Sequence, residues 1–423
     1  MITLTANQQA AYDLLCTTEN VMLTGGGGVG KTAILKEYIS KNKFMYTIGV
    51  TSTTGASAVL INGTTIYSYL GIQLGTLPVE MMCSNINKRR FLKSRWMKLE
   101  VLVIDEISML DSVLFDKLEH LARLVRNSSR PFGGIKLILT GDFCQLSPIG
   151  STKKFCFEAE SWDKCITKKN IVYLTEILRQ TNLEFQQCLG EIRMGTVSDT
   201  TRELLETRID VPLENEHNII PTLLFSTNIL VDNTNDQKFQ YIKSIADKTY
   251  KYKLSTNLND KIKDKYIKSI PAMELLELCV GCQVMLTHNL DIDNGLINGS
   301  RGIVVRFKPC IEHNLIIPVV KFINGMEVDI TVNRWEIMED TQVLGAITQI
   351  PLKLGYAFSI HKSQGCSLDY VRVDLSNLFD YGMAYVALSR VRNLEGLSIG
   401  GTIDWKNIKA NPDAVAFYNS LIE

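Results

Sequence analysis

The sequence predicts an α/β protein of two parallel-sheet lobes, with a small all-β barrel inserted in the second. Three observations predict it. Short apolar strands alternate with helical stretches from Val21 to about Leu174, and again from near Pro221 to beyond Leu388. That alternation gives a parallel sheet with helices on both faces. From Val280 to Arg334 the texture changes to short β-rich runs broken at Asn294-Gly295, Asn298-Gly299 and Asn324-Gly325, pairs that suit hairpin turns. Finally, a glycine-rich phosphate-binding loop opens the first series.

That loop is Thr24 to Thr32, TGGGGVGKT. Gly25, four residues, then Gly30-Lys31-Thr32 is the GxxxxGK[ST] pattern. Glycines let successive backbone N–H groups turn toward phosphate oxygens. Gly25, Gly26, Gly27, Gly28, Val29, Gly30, Lys31, Thr32 and Ala33 are therefore the nucleotide-binding candidates. Lys31 supplies a point charge to the β- and γ-phosphates, and the Thr32 hydroxyl is a ligand for Mg²⁺. A flexible glycine turn is the bland alternative. It requires neither the apolar strand Asn20 to Leu23 before the loop nor the helix Thr32 to Ile39 after it, whose N-terminus favours an anion.

The next strands complete the first lobe: Tyr46 to Val50, Val101 to Ile104 and Leu137 to Leu139. Ligands of open α/β sheets sit beyond the carboxyl ends of strands. Asp105 and Glu106 end one such strand. Asp105 is placed to hold Mg²⁺ through water, and Glu106 to polarise the attacking water. Lys136 to Gln145 is a further strand with a polar end, and the Gln145 amide can sense the γ-phosphate. Between the two series, Lys238 to Lys268 is rich in Lys, Asp and Asn and reads as solvated helix and loop.

Bulk properties set bounds. A chain of 423 residues holds two to four domains. Lys+Arg and Asp+Glu are both 45, so global charge neither suggests nor excludes nucleic acid, and any basic groove must be local. No apolar run reaches transmembrane length, and no secretory or organellar targeting signal appears, which points to a cytoplasmic or nuclear setting without a membrane partner. Ten scattered cysteines suit reduced thiols. Cys279, Cys282, Cys310 and His313 have spacings that zinc accepts. Their flanks read as strands and a turn rather than metal knuckles, so no zinc is expected.

Taken together, the motifs resemble the PIF-type helicases of superfamily 1, relatives of RecD-like helicases. The likeness runs through nearly the whole chain. It starts at Leu4 to Gln8 (LTANQ), continues through Thr51 to Ala58 (TSTTGASA), Gly63 to Gly71 (GTTIYSYLG), Asp105 to Asp111 (DEISMLD), Pro131 to Pro148 and Phe155 to Cys165, and ends at Leu178-Arg179-Gln180, Ser359 to Asp369 (SIHKSQGCSLD) and Ala384 to Arg390 (AYVALSR). Single motifs are weakly specific; this many in order is very specific. The chain departs from the family pattern at Tyr67, Tyr69 and Tyr356, where His, Phe and Trp are usual, and at Met383, where Gln is usual.

The resemblance implies two RecA-like lobes: residues 1–170, including a wedge-like insert at about 72–98, then residues 171–275 with 341–423, and a β module at 276–340. It implies that Gln8 reads adenine and that Arg179 and Arg390 reach the nucleotide from the second lobe. It places Thr54, Ser57, Tyr67, Tyr69, His361, Lys362, Ser363 and Gln364 on single-stranded DNA, with His361 to Gln364 on the same lobe as Arg390. For the two tyrosines a core role stays open beside stacking. For Cys83 to Lys98, basic with Phe91 and Trp96 interleaved, an amphipathic surface helix stays open beside the wedge. The implied activity is that of a monomeric ATP- and Mg²⁺-dependent 5′-to-3′ DNA helicase on single strands and forked duplexes. Single-strand-binding or replication proteins are its implied partners, in DNA replication, repair, recombination or telomere maintenance. Two rivals remain: a strand-stimulated translocase that remodels nucleoprotein without processive unwinding, and a phosphoryl transferase.

Overall fold

Six strands pair in parallel in the computed structural model of the chain: Val21–Gly25 (β1), Ile48–Ser52 (β2), Thr64–Thr65 (β3), Val101–Asp105 (β4), Lys136–Gly141 (β5) and Ile171–Leu174 (β6), in the order β3-β2-β4-β5-β1-β6. The structure describes all residues except 1–3, 149–152, 214–218, 261–262, 265–266, 268–269, 271, 292–293, 297, 313, 340–341 and 423. Successive side chains of a strand point to opposite faces, and both faces are covered, which is why the central strands β1, β4 and β5 are mostly apolar. Val101 and Val103 enter one core, with Leu15, Ile34 and Leu35 of helices Ala6–Leu15 and Lys31–Asn42. Leu102 and Ile104 enter the other, with Trp96, Phe115 and Leu118. The last two come from helix Ser112–Arg126, which starts where the Asp111 carboxylate accepts from Leu114 N at 2.8 Å and stops at Asn127 in the left-handed region.

Contacts divide the chain into two units. The first is Met1–Leu204 with Leu378–Asn393 and Asp404–Glu423; the second is Leu205–Asn377 with Leu394–Ile403. These units divide the chain differently from the expected bounds. A boundary at 170 would cut β6 from the sheet in which it pairs with β1. Residues near the C-terminus, assigned by the sequence to the second lobe, contribute to the first core instead: Ala414 and Tyr418 of helix Pro412–Ile422 are fully buried in it. Arg390 and the segment 361–364, expected on one lobe, therefore fall in different units.

The second unit has its own parallel sheet. Thr222–Phe225 (β7) pairs with Ala357–Ser359 and with Val371–Val373, which pairs with Leu397–Ile399. Its antiparallel strands run from Thr249–Lys253 to Leu352–Leu354, further in both directions than the expected 276–340. The Lys/Asp/Asn-rich stretch read as solvated helix and loop contains two of them, Thr249–Lys253 and Ser255–Thr256. Helix Asn228–Ile245 runs into it from before Lys238. In TYKYK only alternate residues face the core, so charge on the outward face masked a strand whose Tyr252 is buried and donates to Ile316 O at 2.9 Å.

Cys279 and Cys282 are both buried in this unit's core, with Cys282 N donating to Cys279 O at 3.2 Å. His313 lies outside the described residues. Among the described residues no group of three His, Cys, Asp or Glu side chains is arranged to hold a metal. Elemental analysis of the purified chain is expected to find no stoichiometric zinc. One zinc per chain, lost to chelators together with the fold, would overturn that expectation. No helix among the described residues is long and apolar enough to cross a membrane.

Candidate nucleotide and strand sites

The phosphate-binding loop joins β1 to helix Lys31–Asn42. Gly28 and Gly30 have φ of 89° and 88°, a left-handed backbone that suits glycine. Space forbids side chains as well. A Cβ on Gly25 would lie 2.1 Å from Leu174 O, and one on Gly30 would lie 2.2 Å from Gln8 Nε2. Lys31 Nζ donates to Gly25 O at 2.6 Å and to Gly26 O at 2.8 Å. Burial pushes its ammonium below the ordinary lysine value, opposed by Asp142, Glu106 and Asp105. Thr32 and Ala33 form the first turn of the helix.

The carboxylates come from the neighbouring strands. Asp105, 6% exposed, ends β4 and accepts from the Thr140 hydroxyl and from Glu106 N at 3.0 Å. Burial raises its pKa, and the Thr140 hydrogen bond counteracts this. Glu106 sits in the left-handed region at φ 53°, a conformation that costs a non-glycine residue roughly 1–3 kcal/mol. The turn from β4 into Ile107–Met109 imposes it. Gln145 is buried; its amide reaches Asp142 at 3.5 Å.

Arginines and a tyrosine close around the loop. A Cβ on Gly27 would lie 3.5 Å from Arg390 Nη2, and one on Gly28 would lie 2.6 Å from Arg179 Cβ. Arg390 donates through Nε to Val386 O at 2.8 Å and through Nη2 to the Ser389 hydroxyl at 2.8 Å. Arg179 Nη1 donates to Ser389 O at 3.0 Å. Both arginines thus lie in the first unit, with the loop itself. Tyr385, from helix Met383–Leu388, accepts from Gly27 N at 2.7 Å, and burial pushes its hydroxyl up to about 12.

Three residues here escaped sequence reasoning: Asp142, Arg193 and Tyr385. Arg193 Nη2 meets Asp142 Oδ1 at 2.8 Å, with side-chain exposures of 7% and 0%. Asp142 follows an apolar strand, the same cue that singled out Asp105, and could have been found that way. A buried arginine in the last turn of a helix leaves no such trace.

Gln8 is buried beside the loop. Its Nε2 donates to Val29 O at 3.2 Å, while its Oε1 accepts from Thr5 N at 3.1 Å as half of the capping box that starts helix Ala6–Leu15. A cleft of about 250 Å³ opens between Gln8, Val29 and Tyr173. The loop, the Lys31 charge and this cleft fit a nucleoside triphosphate. The Thr32 hydroxyl and Asp105 carboxylate are the hard oxygen donors that Mg²⁺ takes alongside phosphate.

The expected strand residues are more mixed. Thr54 is half-buried, but Ser57 is 3% exposed, its hydroxyl linked to those of Ser52 and Thr54. Tyr67 and Tyr69 are half-buried and pack against the first core, and the Arg95 guanidinium lies 5.1 Å over the Tyr69 ring. In the second unit, helix Ile360–Ser363 presents an exposed Lys362 and a half-buried His361. Ser363 and Gln364 are buried, and the Ser363 hydroxyl donates to Ile360 O at 2.7 Å. Among the departures from the family pattern, Tyr356 is buried with its hydroxyl accepting from Gln283 N at 2.9 Å, and Met383 is fully buried.

Residues 3–203 match the model of the PIF1-like helicases, and residues 267–307 that of the 2B domain of the DNA helicase Pif1. The chain is 39% identical to the ATP-dependent DNA helicase PIF1 of Xenopus laevis over 99% of its own length, and it spans 65% of the length of that relative. It superposes on the crystal structure of the Pif1 helicase from Candida albicans with a TM-score of 0.84, at 32% identity, covering 100% of both chains. The crystal structure of the Pif1 helicase from Bacteroides in complex with ADP-AlF3 and ssDNA is similar at a TM-score of 0.69 and 28% identity, with 99% of this chain and 97% of that one covered.

Proposed function

Because the chain belongs to the PIF1-like helicase family, we propose that it is an ATP-dependent DNA helicase that translocates 5′-to-3′ on single-stranded DNA and unwinds duplex. One observation carries the nucleotide half of this reading. A phosphate-binding loop, two strand-end carboxylates and two arginines converge within one unit. The strand half rests on the exposed Lys362 and on a family relative crystallised with both ADP-AlF3 and ssDNA.

In the proposed reaction the loop amides and Lys31 hold the phosphates. Thr32 and Asp105 would hold Mg²⁺, which would neutralise phosphate charge. Glu106 orients and polarises the attacking water, and the Gln145 amide senses the γ-phosphate. Arg179 and Arg390 stabilise charge as it develops on the transferred phosphoryl group. Their cations act on the transition state more than on bound ATP, so they serve rate rather than affinity. The chain acts as a monomer on forked duplexes, alongside single-strand-binding or replication proteins.

Glu106→Gln is expected to keep ATP binding within about threefold and to slow hydrolysis by about 10²–10⁴-fold, the usual weight of a general base. The amide preserves shape and loses charge and basicity. Single-turnover hydrolysis beside nucleotide titration checks this, and wild-type turnover in the variant would remove the base assignment.

The function itself is tested by unwinding of duplexes carrying 5′ or 3′ tails, with and without ATP. ATP-dependent unwinding confined to 5′ tails is expected. Strand-stimulated hydrolysis without unwinding would favour the remodelling translocase, and transfer of phosphate to an acceptor other than water would favour the transferase.

A further inference from the structure

Helices Val79–Lys88 and Arg90–Lys98, joined at Arg89, border a cleft of about 230 Å³ in the first unit. Its floor is apolar: Met82 and Leu92 are 2% and 3% exposed. Gly71 lets this floor close up, with φ 67° and a would-be Cβ 2.4 Å from Leu92 Cδ2. The rim is polar. Gln73, Asn85, Lys88 and Arg89 are all exposed, and none of their side chains makes a hydrogen bond or ion pair among the described residues. No carboxylate lines the cleft. Residues 71–99 carry Lys88, Arg89, Arg90, Lys93, Arg95 and Lys98 against Glu80 alone, in a chain whose net charge is zero. Arg95 is already committed, donating to Tyr69 O at 2.7 Å and lying 5.1 Å over both Tyr69 and Phe91. The cations left to the cleft are Lys88 and Arg89.

Two amides that both donate and accept, an apolar floor and two unpaired cations suit one nucleotide. The amides meet a base edge, the floor meets a base face, and the cations meet phosphate. We propose that this cleft is a subsite for one unpaired nucleotide of a single-stranded DNA segment, separate from the strand contacts expected at Thr54, Tyr67 and Tyr69. The inference rests on the reading of the chain as an enzyme of DNA strands. A volume below the roughly 300–1,000 Å³ of drug-sized pockets suits a single base. A paired base keeps its faces in the duplex stack and cannot lay one on Met82 and Leu92.

The test is fluorescence anisotropy of a labelled single-stranded oligodeoxynucleotide at several salt concentrations, with the full chain and no nucleotide. Lys88→Ala/Arg89→Ala removes the cleft cations. Arg90→Ala/Lys93→Ala removes equal charge from neighbouring exposed positions outside the cleft. The cleft variant is expected to bind about tenfold more weakly near 0.1 M salt, with a log–log salt slope shallower by about 1.4 for two phosphates. The control variant should stay within about threefold. On a strand of abasic sugars the cleft variant's loss should shrink to that of the control. Unchanged melting midpoints and unstimulated ATPase establish that both variants are intact. Equal losses for the two variants, or a cleft loss that persists on the abasic strand, would show diffuse charge and overturn the subsite. If the unaltered chain binds no strand, the functional reading falls with it; if it binds and the cleft variant does too, only the subsite falls.

Discussion

Lys31→Ala is expected to abolish ATP turnover, lowering it by at least about 10²–10³-fold, the weight of one preorganised charge donor at a reacting oxyanion. The ammonium sits at the mouth of the loop, fixed by Gly25 O and Gly26 O. Burial works against its charge, and Asp142, Glu106 and Asp105 favour it. Alanine removes the cation and leaves those carboxylates facing the phosphates. Affinity for ATP should fall as well, because charge-assisted hydrogen bonds contribute about 1.5–3 kcal/mol. Phosphate release with and without a DNA strand, beside calorimetric titration of a non-hydrolysable analogue, measures both effects. Turnover within a few-fold of wild type would remove Lys31 from the mechanism. Melting of the variant should fall modestly, since Gly25 O, on a buried residue, loses the Lys31 donor.

Asp142→Ala is expected to destabilise the first unit by about 3–5 kcal/mol, the cost of breaking a buried ion pair from one side. Asp142 is fully buried. It accepts from Arg193 Nε at 3.1 Å and Nη2 at 2.8 Å, from the Tyr418 hydroxyl at 3.0 Å and from Cys144 N at 3.2 Å. Arg193 in turn lies 4.2 Å over the Tyr418 ring. Losing the carboxylate strands a buried guanidinium and removes one hydrogen bond of Tyr418, which keeps those to Thr24 and Phe143 N. Arg193→Met should cost a similar amount. The double variant should cost less than the sum, because neither charge is then left alone. Denaturant unfolding of the four proteins gives the coupling, and strict additivity would show that the pair does not act as a unit.

The same carboxylate sets a pH dependence. Burial pushes the Asp142 pKa up, but the Arg193 charge and hydrogen bonds pull it further down, to a value below the usual carboxylate range. A depressed folded-state pKa gives stability that is fully present above the unfolded value of about 3.9 and is lost as pH falls through the folded value. The acid limb of the stability curve should therefore flatten in Asp142→Ala.

The sequence by itself determined the local chemistry. TGGGGVGKT reads as a phosphate cradle because its spacing, its glycines and the strand and helix that flank it are all properties of the chain. The apolar runs before Asp105-Glu106 and within Lys136 to Gln145 read as buried strands with polar ends, and alternation with helices makes them parallel. The family resemblance added Gln8, Arg179 and Arg390, all of which lie against the loop. What the tertiary structure alone decided depends on long-range contacts. Tyr418, nearly 280 residues beyond Asp142, completes its hydrogen bonds, and no local pattern encodes such a pairing. The charged face of TYKYK concealed a strand, because period-two burial shows only when the partner strand is known. Ser57 and Ser363 looked available for a strand and are buried, since a serine is small and polar enough to serve either role until its neighbours are placed. The unit boundaries follow the same logic. Arg390 joins the phosphate loop rather than the 361–364 segment, because packing decides which stretches cohere, and order along the chain does not.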